Sequence, residues 1–262
     1  MRIGSSTLDI TPHSTNGLRI QALCFAAIHH GHGVIRVPHT YVTPFDDATT
    51  ACIRSIIHTH TLRCVIHAPI GRIIDMLPLL TQCAEFLTSL DAVDGVIICH
   101  LTQGDAREWQ AMMSIPQSIR QYIAIELTTH PLADVCTHAM MYRVPIIFDW
   151  LHYHIHAPWP YDAVGDAVYA CRTWERRRPL LHLSSPDTAD YGTHHRHIHG
   201  RHSAYLDWVT MMHFVGQLAD IIGDAFDLEI EAQAGQGAAT HFLARCRQHT
   251  PPQWRHLWHI SS

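Results

Sequence analysis

The stretch that decides the fold is Val144-Pro-Ile-Ile-Phe-Asp149-Trp-Leu-His152-Tyr-His154. An apolar, β-branched run stops abruptly at a carboxylate and is followed by imidazoles. A strand buried on both faces reads as such an uninterrupted apolar run. A polar residue at its end marks the point where the chain leaves the core.

The same grammar recurs along the chain. Apolar runs occupy 2–8, 33–39, 63–69, 95–101, 122–128, 144–152, 179–185 and 226–233. Between them lie segments with helical spacing, such as Leu77, Leu80, Ala84 and Leu87, or Met211, Val215, Leu218 and Ile222. Eight strands alternating with helices in 262 residues fit a (β/α)₈ (TIM) barrel, which takes about 250 residues. A doubly wound sheet is disfavoured, because no glycine-rich phosphate fingerprint follows any strand. The Gly-His-Gly at 31–33 precedes one, and the Gly-Gln-Gly at 235–237 lacks the spacing. No repeat or domain boundary interrupts the pattern, so residues 1–262 read as one domain. The His-rich stretch 193–202 reads as a loop after strand seven.

Composition sets limits. Hydrophobic residues make up 47% and charged ones 16%, which is globular. The net charge of −5 gives no global signature of nucleic-acid binding. All 18 basic residues are arginine, and there are 25 histidines. That bias makes any single histidine uninformative; only one at a structural address counts. His29, His30, His32, His58, His60, His138, His249 and His259 fall on helices, loops or the tail and are expected to be exposed and inert. The eight cysteines form no Cys-x-x-Cys pair and read as free thiols of a reducing compartment, which with the absence of a leader or spanning segment gives a cytoplasmic expectation.

Barrel enzymes carry their chemistry at the C-terminal ends of the strands. Read there, strand three ends in His67, strand four in His100, strand five in Glu126, strand six in Asp149 and His152, strand seven in His182, and strand eight in Glu229-Ile230-Glu231. One such residue is explained by composition or by helix capping. Six successive strands keeping carboxylates and imidazoles in one register are not. Converging buried carboxylates need a counter-charge, and divalent ions bound by oxygen and imidazole ligands supply it.

These residues resemble the UV damage endonucleases (UvdE), relatives of the type IV apurinic endonucleases. The resemblance rests on the apolar run into Phe148-Asp149 and the histidines after it. It continues through Thr173-Trp174, His182-Leu-Ser-Ser-Pro186, Arg201-His202-Ser-Ala-Tyr205-Leu-Asp207 and Phe226-Asp227-Leu-Glu-Ile-Glu231-Ala232. It is specific over 144–233 and looser from about residue 60. It implies a TIM barrel with divalent ions, usually manganese, with zinc or magnesium as alternatives. The ligands it implies are His67, His100, Glu126, Asp149, His152, His182, His202 and Glu231, with His195 or His199 as substitutes for His202. It implies a DNA-repair activity in which metal-activated water attacks a phosphodiester beside a damaged base, with Glu126, Glu231 and His182 closest to the chemistry. The expected partner is damaged duplex DNA, met by a monomer.

The sequence departs from the family at three places. Leu180 stands where the family has a lysine. The loop His67-Ala-Pro-Ile-Gly-Arg72 replaces the family's His-Pro-Gly-Gln-Tyr, leaving Ile70 as the wedge candidate and Arg72 as a phosphate contact. Ser5 or Ser6 takes the place of an aromatic in strand one. Arg196 and Arg201, in the loop after strand seven, are further DNA-binding candidates. Arg176-Arg-Arg178 precedes strand seven and reads as a solvated turn at the barrel's base. The alternative is a metal-dependent barrel enzyme acting on a small molecule or peptide, isomerase- or oxidase-like. A non-catalytic metal- or nucleic-acid-binding relative is the third reading.

Overall fold

A computed structural model describes residues 1–5, 15–101, 106–126, 132–156, 162–186 and 202–258. Eight parallel strands close into a barrel in sequence order: β1 (Arg2–Ser5), β2 (Val34–Pro38), β3 (Arg63–His67), β4 (Val96–His100), β5 (Ile123–Glu126), β6 (Ile146–Asp149), β7 (Leu180–Leu183) and β8 (Asp227–Ile230). The expected (β/α)₈ barrel is the fold observed. The main outer helices are α1 (Asn16–His30), α2 (Asp47–Thr59), α3 (Leu77–Ser89), α4 (Ala106–Ser114), α5 (Gln117–Arg120), α6 (Leu132–Tyr142), α7 (Trp150–His156), α8 (Ala163–Arg172), α9 (Trp208–Ile222) and α10 (Gln236–His249). No helix of the described residues is long and apolar enough to cross a membrane.

Strand side chains alternate between two environments. Outward residues such as Cys64, Ile66, Ile97, Cys99, Ile125, Phe148, Leu181 and Leu228 pack under the helices. Inward residues form a second, smaller cluster from Val34, Val65, Val96, Ile98, Ala124, Ile147 and Leu180, with Trp174 at its base. The barrel interior is tightest at Gly4, where an added Cβ would lie 1.9 Å from the Val34 carbonyl oxygen. No larger residue fits there while β1 stays paired to β2.

The base of the barrel is closed by charge. Asp227 is fully buried and accepts from Arg2 Nε at 3.0 Å, Arg63 Nη1 at 2.9 Å and Arg178 Nε at 2.8 Å. One carboxylate thus ties β1, β3 and the entry to β7 to β8. The triplet 176–178 is therefore not a solvated turn as a whole: Arg176 is exposed, whereas Arg177 and Arg178 are half-buried. Trp174 donates to the Ile146 carbonyl at 2.7 Å, and Arg63 and Arg177 lie over its ring at 5.3 and 5.2 Å.

Two further sequence expectations are corrected. Strand six ends at Asp149, and His152 belongs to α7. The Asp149 carboxylate accepts the His152 N–H at 2.7 Å, and this cap starts the helix directly from the strand. His32 is buried, not exposed: it lies where α1 meets β2, with Nε2 3.5 Å from Thr240 Oγ1. Burial pushes its pKa down to about 4, so it is a neutral core residue. His259 lies outside the described residues. The cysteines are free, and all but Cys52 are buried.

Burial by itself would raise the Asp227 pKa, but the hydrogen bond from Arg2 and the charges of Arg63 and Arg178 hold it below the usual value. Its contribution to stability is therefore full above the unfolded-state pKa of about 3.9 and is lost as the pH falls through the lower folded value. Asp227→Asn strands three guanidiniums and should cost about 3–5 kcal/mol in urea unfolding at pH 7. The difference between variant and parent should shrink below about pH 4. A loss under 1 kcal/mol would show that the cluster does not hold the barrel shut.

Candidate metal centre

The alternation that buries the apolar residues also builds the site. Arg36 shares its face with Val34, His67 with Val65, and His100 with Ile98. Glu126 follows Ala124, Asp149 follows Ile147, and His182 follows Leu180, while Glu229 and Glu231 follow Asp227. Each polar residue stands two positions beyond an inward residue, so all point to the barrel axis at its C-terminal mouth. Register reinforces this: His100 pairs with Glu126, Asp149 with His182, and His182 with Glu229.

His182 is fully buried at the centre. Its Nδ1 lies 3.5 Å from Glu126 Oε2, 3.6 Å from Glu231 Oε2 and 3.9 Å from Asp149 Oδ2. Its Nε2 lies 3.3 Å from Glu229 Oε2, which is itself 3.2 Å from His67 Nε2. The His67 and His182 rings stack with centroids 5.3 Å apart. His100 Nε2 approaches Glu126 Oε2 at 2.9 Å, and His152 Nε2 approaches Glu126 Oε1 at 3.7 Å. His202 Nε2 reaches Glu231 Oε2 at 3.9 Å, and a bridge between His202 and Pro186 holds its segment against the end of β7.

Arg36 is the fixed cation of the mouth. Its Nη1 is 2.8 Å from Glu231 Oε1 and 3.7 Å from Glu229 Oε1. It therefore engages one oxygen of each glutamate and leaves both Oε2 atoms facing the imidazoles. Ser184 holds Asp149 from the side, with Oγ 3.2 Å from Oδ2.

The charges follow from this crowding. Burial, then repulsion from Glu126 and Glu231, pushes Asp149 up to about 7. Burial opposes ionisation of Glu126 and Glu229 as well, but neighbouring imidazoles outweigh it and hold both well below the carboxylate range. His182, opposed by burial but ringed by Glu231 and Glu126, is raised well above the ordinary imidazole value. His100 is raised by Glu126 against burial, whereas burial prevails at His152 and lowers it.

These residues fit a metal. Two groups place one donor atom per residue within 4.8 Å of each other: His67, His182 and Glu229, and Glu126, Asp149, His182 and Glu231. Both nitrogens of His182, Nδ1 of His100 and of His202, Oε2 of Glu126 and Oε1 of Glu229 are buried without a hydrogen-bond partner. Orphaned buried polar atoms are costly, and a bound cation would satisfy them. A mixed oxygen and imidazole set suits divalent manganese, zinc or magnesium.

Of the eight ligands expected from the sequence, His67, Glu126, Asp149, His182 and Glu231 fall within these groups. His100, His152 and His202 border them through Glu126 and Glu231. Glu229 and Arg36 were not among the expected residues. Both were readable by parity: Glu229 lies two residues from Glu231, and Arg36 two from inward Val34. Ile70 is 78% exposed in the loop after β3. Arg72 is exposed as well and pairs with Asp75 at 3.6 Å. Arg196 and Arg201, with the alternatives His195 and His199, lie outside the described residues.

No protein-family model and no curated protein matches the chain. Solved structures do. SacUVDE, a UV damage endonuclease, superposes with a TM-score of 0.76 at 17% identity, covering 95% of this chain and 98% of that one. A D-psicose 3-epimerase superposes at 0.60 with 14% identity over 95% and 99% of the two chains. A xylose isomerase domain protein from Planctomyces limnophilus superposes at 0.63 with 10% identity over 98% of each. At these identities the likeness establishes the fold.

Glu229→Gln keeps the side-chain shape and removes its charge. In a calorimetric titration with Mn²⁺ we expect it to weaken binding by about 10- to 100-fold. Ser184→Ala should weaken it less, since Asp149 keeps its helix-capping bond. Parental affinity in Glu229→Gln would mean that this carboxylate is not part of the metal centre.

Proposed function

We propose that this chain is a divalent-metal-dependent endonuclease of the UV damage type, hydrolysing a phosphodiester beside a damaged base in duplex DNA. The observation that carries the reading is the mouth itself. Four carboxylates and five imidazoles, His182 at their centre, converge there, and all but Glu229 are ligands that the sequence resemblance implies. The likeness to SacUVDE over 95% of the chain supports it.

In this reading Glu126, Asp149, Glu231 and His182 would hold one ion, and His67 and Glu229, with His182 between the two groups, would face a second position. His100, His152 and His202 complete the ring from the rim. Ions bound there, manganese by preference, lower the pKa of water and neutralise charge on a phosphodiester. The protein's own part is positional. Arg36 fixes the outer oxygens of Glu229 and Glu231, so neither carboxylate swings away. Ser184 and the His152 N–H fix Asp149. Glu126, Glu231 and His182 are the residues proposed to stand nearest the chemistry, where they would take the proton of the attacking water and return one to the leaving oxygen. Ile70 offers an exposed apolar tip for insertion beside a lesion, and Arg72 can exchange its exposed Asp75 partner for a phosphate at small cost. Arg196 and Arg201 are proposed to add phosphate contacts.

A second reading is favoured by the epimerase and isomerase likenesses: a metal-dependent enzyme for a small polyhydroxylated substrate. The same carboxylates and imidazoles would then serve proton transfer at a metal-bound sugar.

The test is incision of UV-irradiated and untreated duplex by manganese-loaded protein. We expect nicking of the irradiated strand, reduced on the order of 100-fold or more in Glu126→Gln. Metal-loaded protein that cuts neither duplex overturns the nuclease reading, and turnover of a ketose would then establish the second. Equal cutting of both duplexes overturns the preference for lesions.

A further inference from the structure

At the N-terminal end of the barrel, opposite the mouth, the turns leading into β6 and β7 meet α5 around a cleft of about 520 Å³. This is within the range of small-ligand sites, roughly 300–1,000 Å³. Its walls carry four arginines, Arg120, Arg143, Arg176 and Arg177, against a single carboxylate, Glu175. A local charge of this sign stands out in a chain whose net charge is −5.

The arginines are not consumed by the fold. Arg143 and Arg176 are exposed, and no side-chain hydrogen bond or ion pair ties their guanidiniums to any described residue. Arg120 is held only by neutral acceptors, Gln117 Oε1 at 2.8 Å and the Met113 carbonyl at 3.2 Å. Arg177 is half-buried over Trp174, with one long contact of 3.4 Å to the Gly95 carbonyl. Burial, aided by the charge of Arg63, pushes its pKa down to about 10. The cleft thus contains a partly desolvated cation that makes no ion pair with any described residue, flanked by two exposed ones.

We propose that this cleft is a second ligand site, distinct from the mouth, that binds the phosphoryl groups of a small anion. Guanidinium forks match phosphate oxygens two at a time and are weakly hydrated, so several around one cavity favour a multiply charged phosphate over a carboxylate. Beside the arginines the lining carries apolar surface: Tyr142, which stacks on Trp109 at 6.0 Å, and the exposed Met113 and Met141. A flat ring attached to the phosphates would cover that surface. The shared chemistry is the phosphate, and a free polyphosphate and a nucleotide are its two sources.

Titration calorimetry with inorganic pyrophosphate and with ADP tests this, on the parent chain and on an Arg143→Gln/Arg176→Gln double variant. Neither guanidinium makes a hydrogen bond or ion pair with a described residue, and unchanged unfolding midpoint and Mn²⁺ stoichiometry would verify that the variant is intact. We expect saturable binding of pyrophosphate, weakened at least about tenfold in the variant and by raised salt. Tighter binding of ADP than of pyrophosphate identifies a nucleotide as the occupant; equal binding identifies the polyphosphate alone. Parental affinity in the variant, or no binding of either probe, overturns the proposal. The result is independent of whether the mouth cuts DNA.

Discussion

The structure depends on the closure of β8 onto β1, and the buried Asp227 governs that closure. A sheet of eight strands becomes a barrel only when its first and last strands pair, and here their register runs from Arg2 against Asp227 to Ser5 against Ile230. The carboxylate at the start of β8 meets guanidiniums from β1, from β3 and from the turn before β7. A buried carboxylate with one counter-ion gains little over an apolar substitute, but losing its partners is expensive. Asp227 therefore acts more as a device that selects one closure than as a source of net stability.

Closure brings the other strand ends to one axis, and period-two alternation decides what arrives there. The outward set is uniformly apolar. The inward set changes character along the axis, from the Asp227 cluster through Val65, Ile98, Ala124, Ile147 and Leu180 to the carboxylates and imidazoles. The two polar ends differ in how far they are satisfied. At the base each oxygen of Asp227 has a guanidinium donor, the arrangement expected of a structural feature. At the mouth, both nitrogens of His182 and oxygens of Glu126 and Glu229 lie within ion-pair range of neighbouring groups but lack hydrogen-bond partners, and Asp149 is pushed up to about 7. A fold does not keep such groups together for its own stability.

The sequence revealed the barrel and the mouth for one reason: both are written in register. Apolar runs of fixed parity gave the strands, and a polar residue ending each run gave its address. That address separated His67, His100 and His182 from the many other histidines. What escaped lay where register alone was insufficient. His32 looked like one more histidine beside a glycine, and only the packing of α1 against β2 and of α10 against β1 buries it. His152 was read as strand because its run stayed apolar, whereas the Asp149 cap turns it into helix. Glu229 and Arg36 share the parity of the chosen residues. Glu229 was passed over because Glu231 matched the family pattern, and Arg36 because a guanidinium is not a metal ligand.

Those two omissions explain each other. Leu180, at the position where the resembling family carries a lysine, belongs to the dry layer of the barrel interior, directly below His182. The chain has no lysine to stand there. Glu229 is nonetheless fully buried, and a charge there without counter-charge would not persist. It is held by Arg36 of β2 on one oxygen, and on the other by His67 of β3 and by His182 of the adjacent β7. Arg36 in turn reaches Glu229 only because Glu231 takes its nearer contact at 2.8 Å and anchors it in the mouth. The triad Arg36, Glu229 and Glu231 is thus a unit in which each member requires the other two. It sets the charge that any bound cation must complement, so the properties of this centre follow from residues on β2 and β8 that no single-position motif would have singled out.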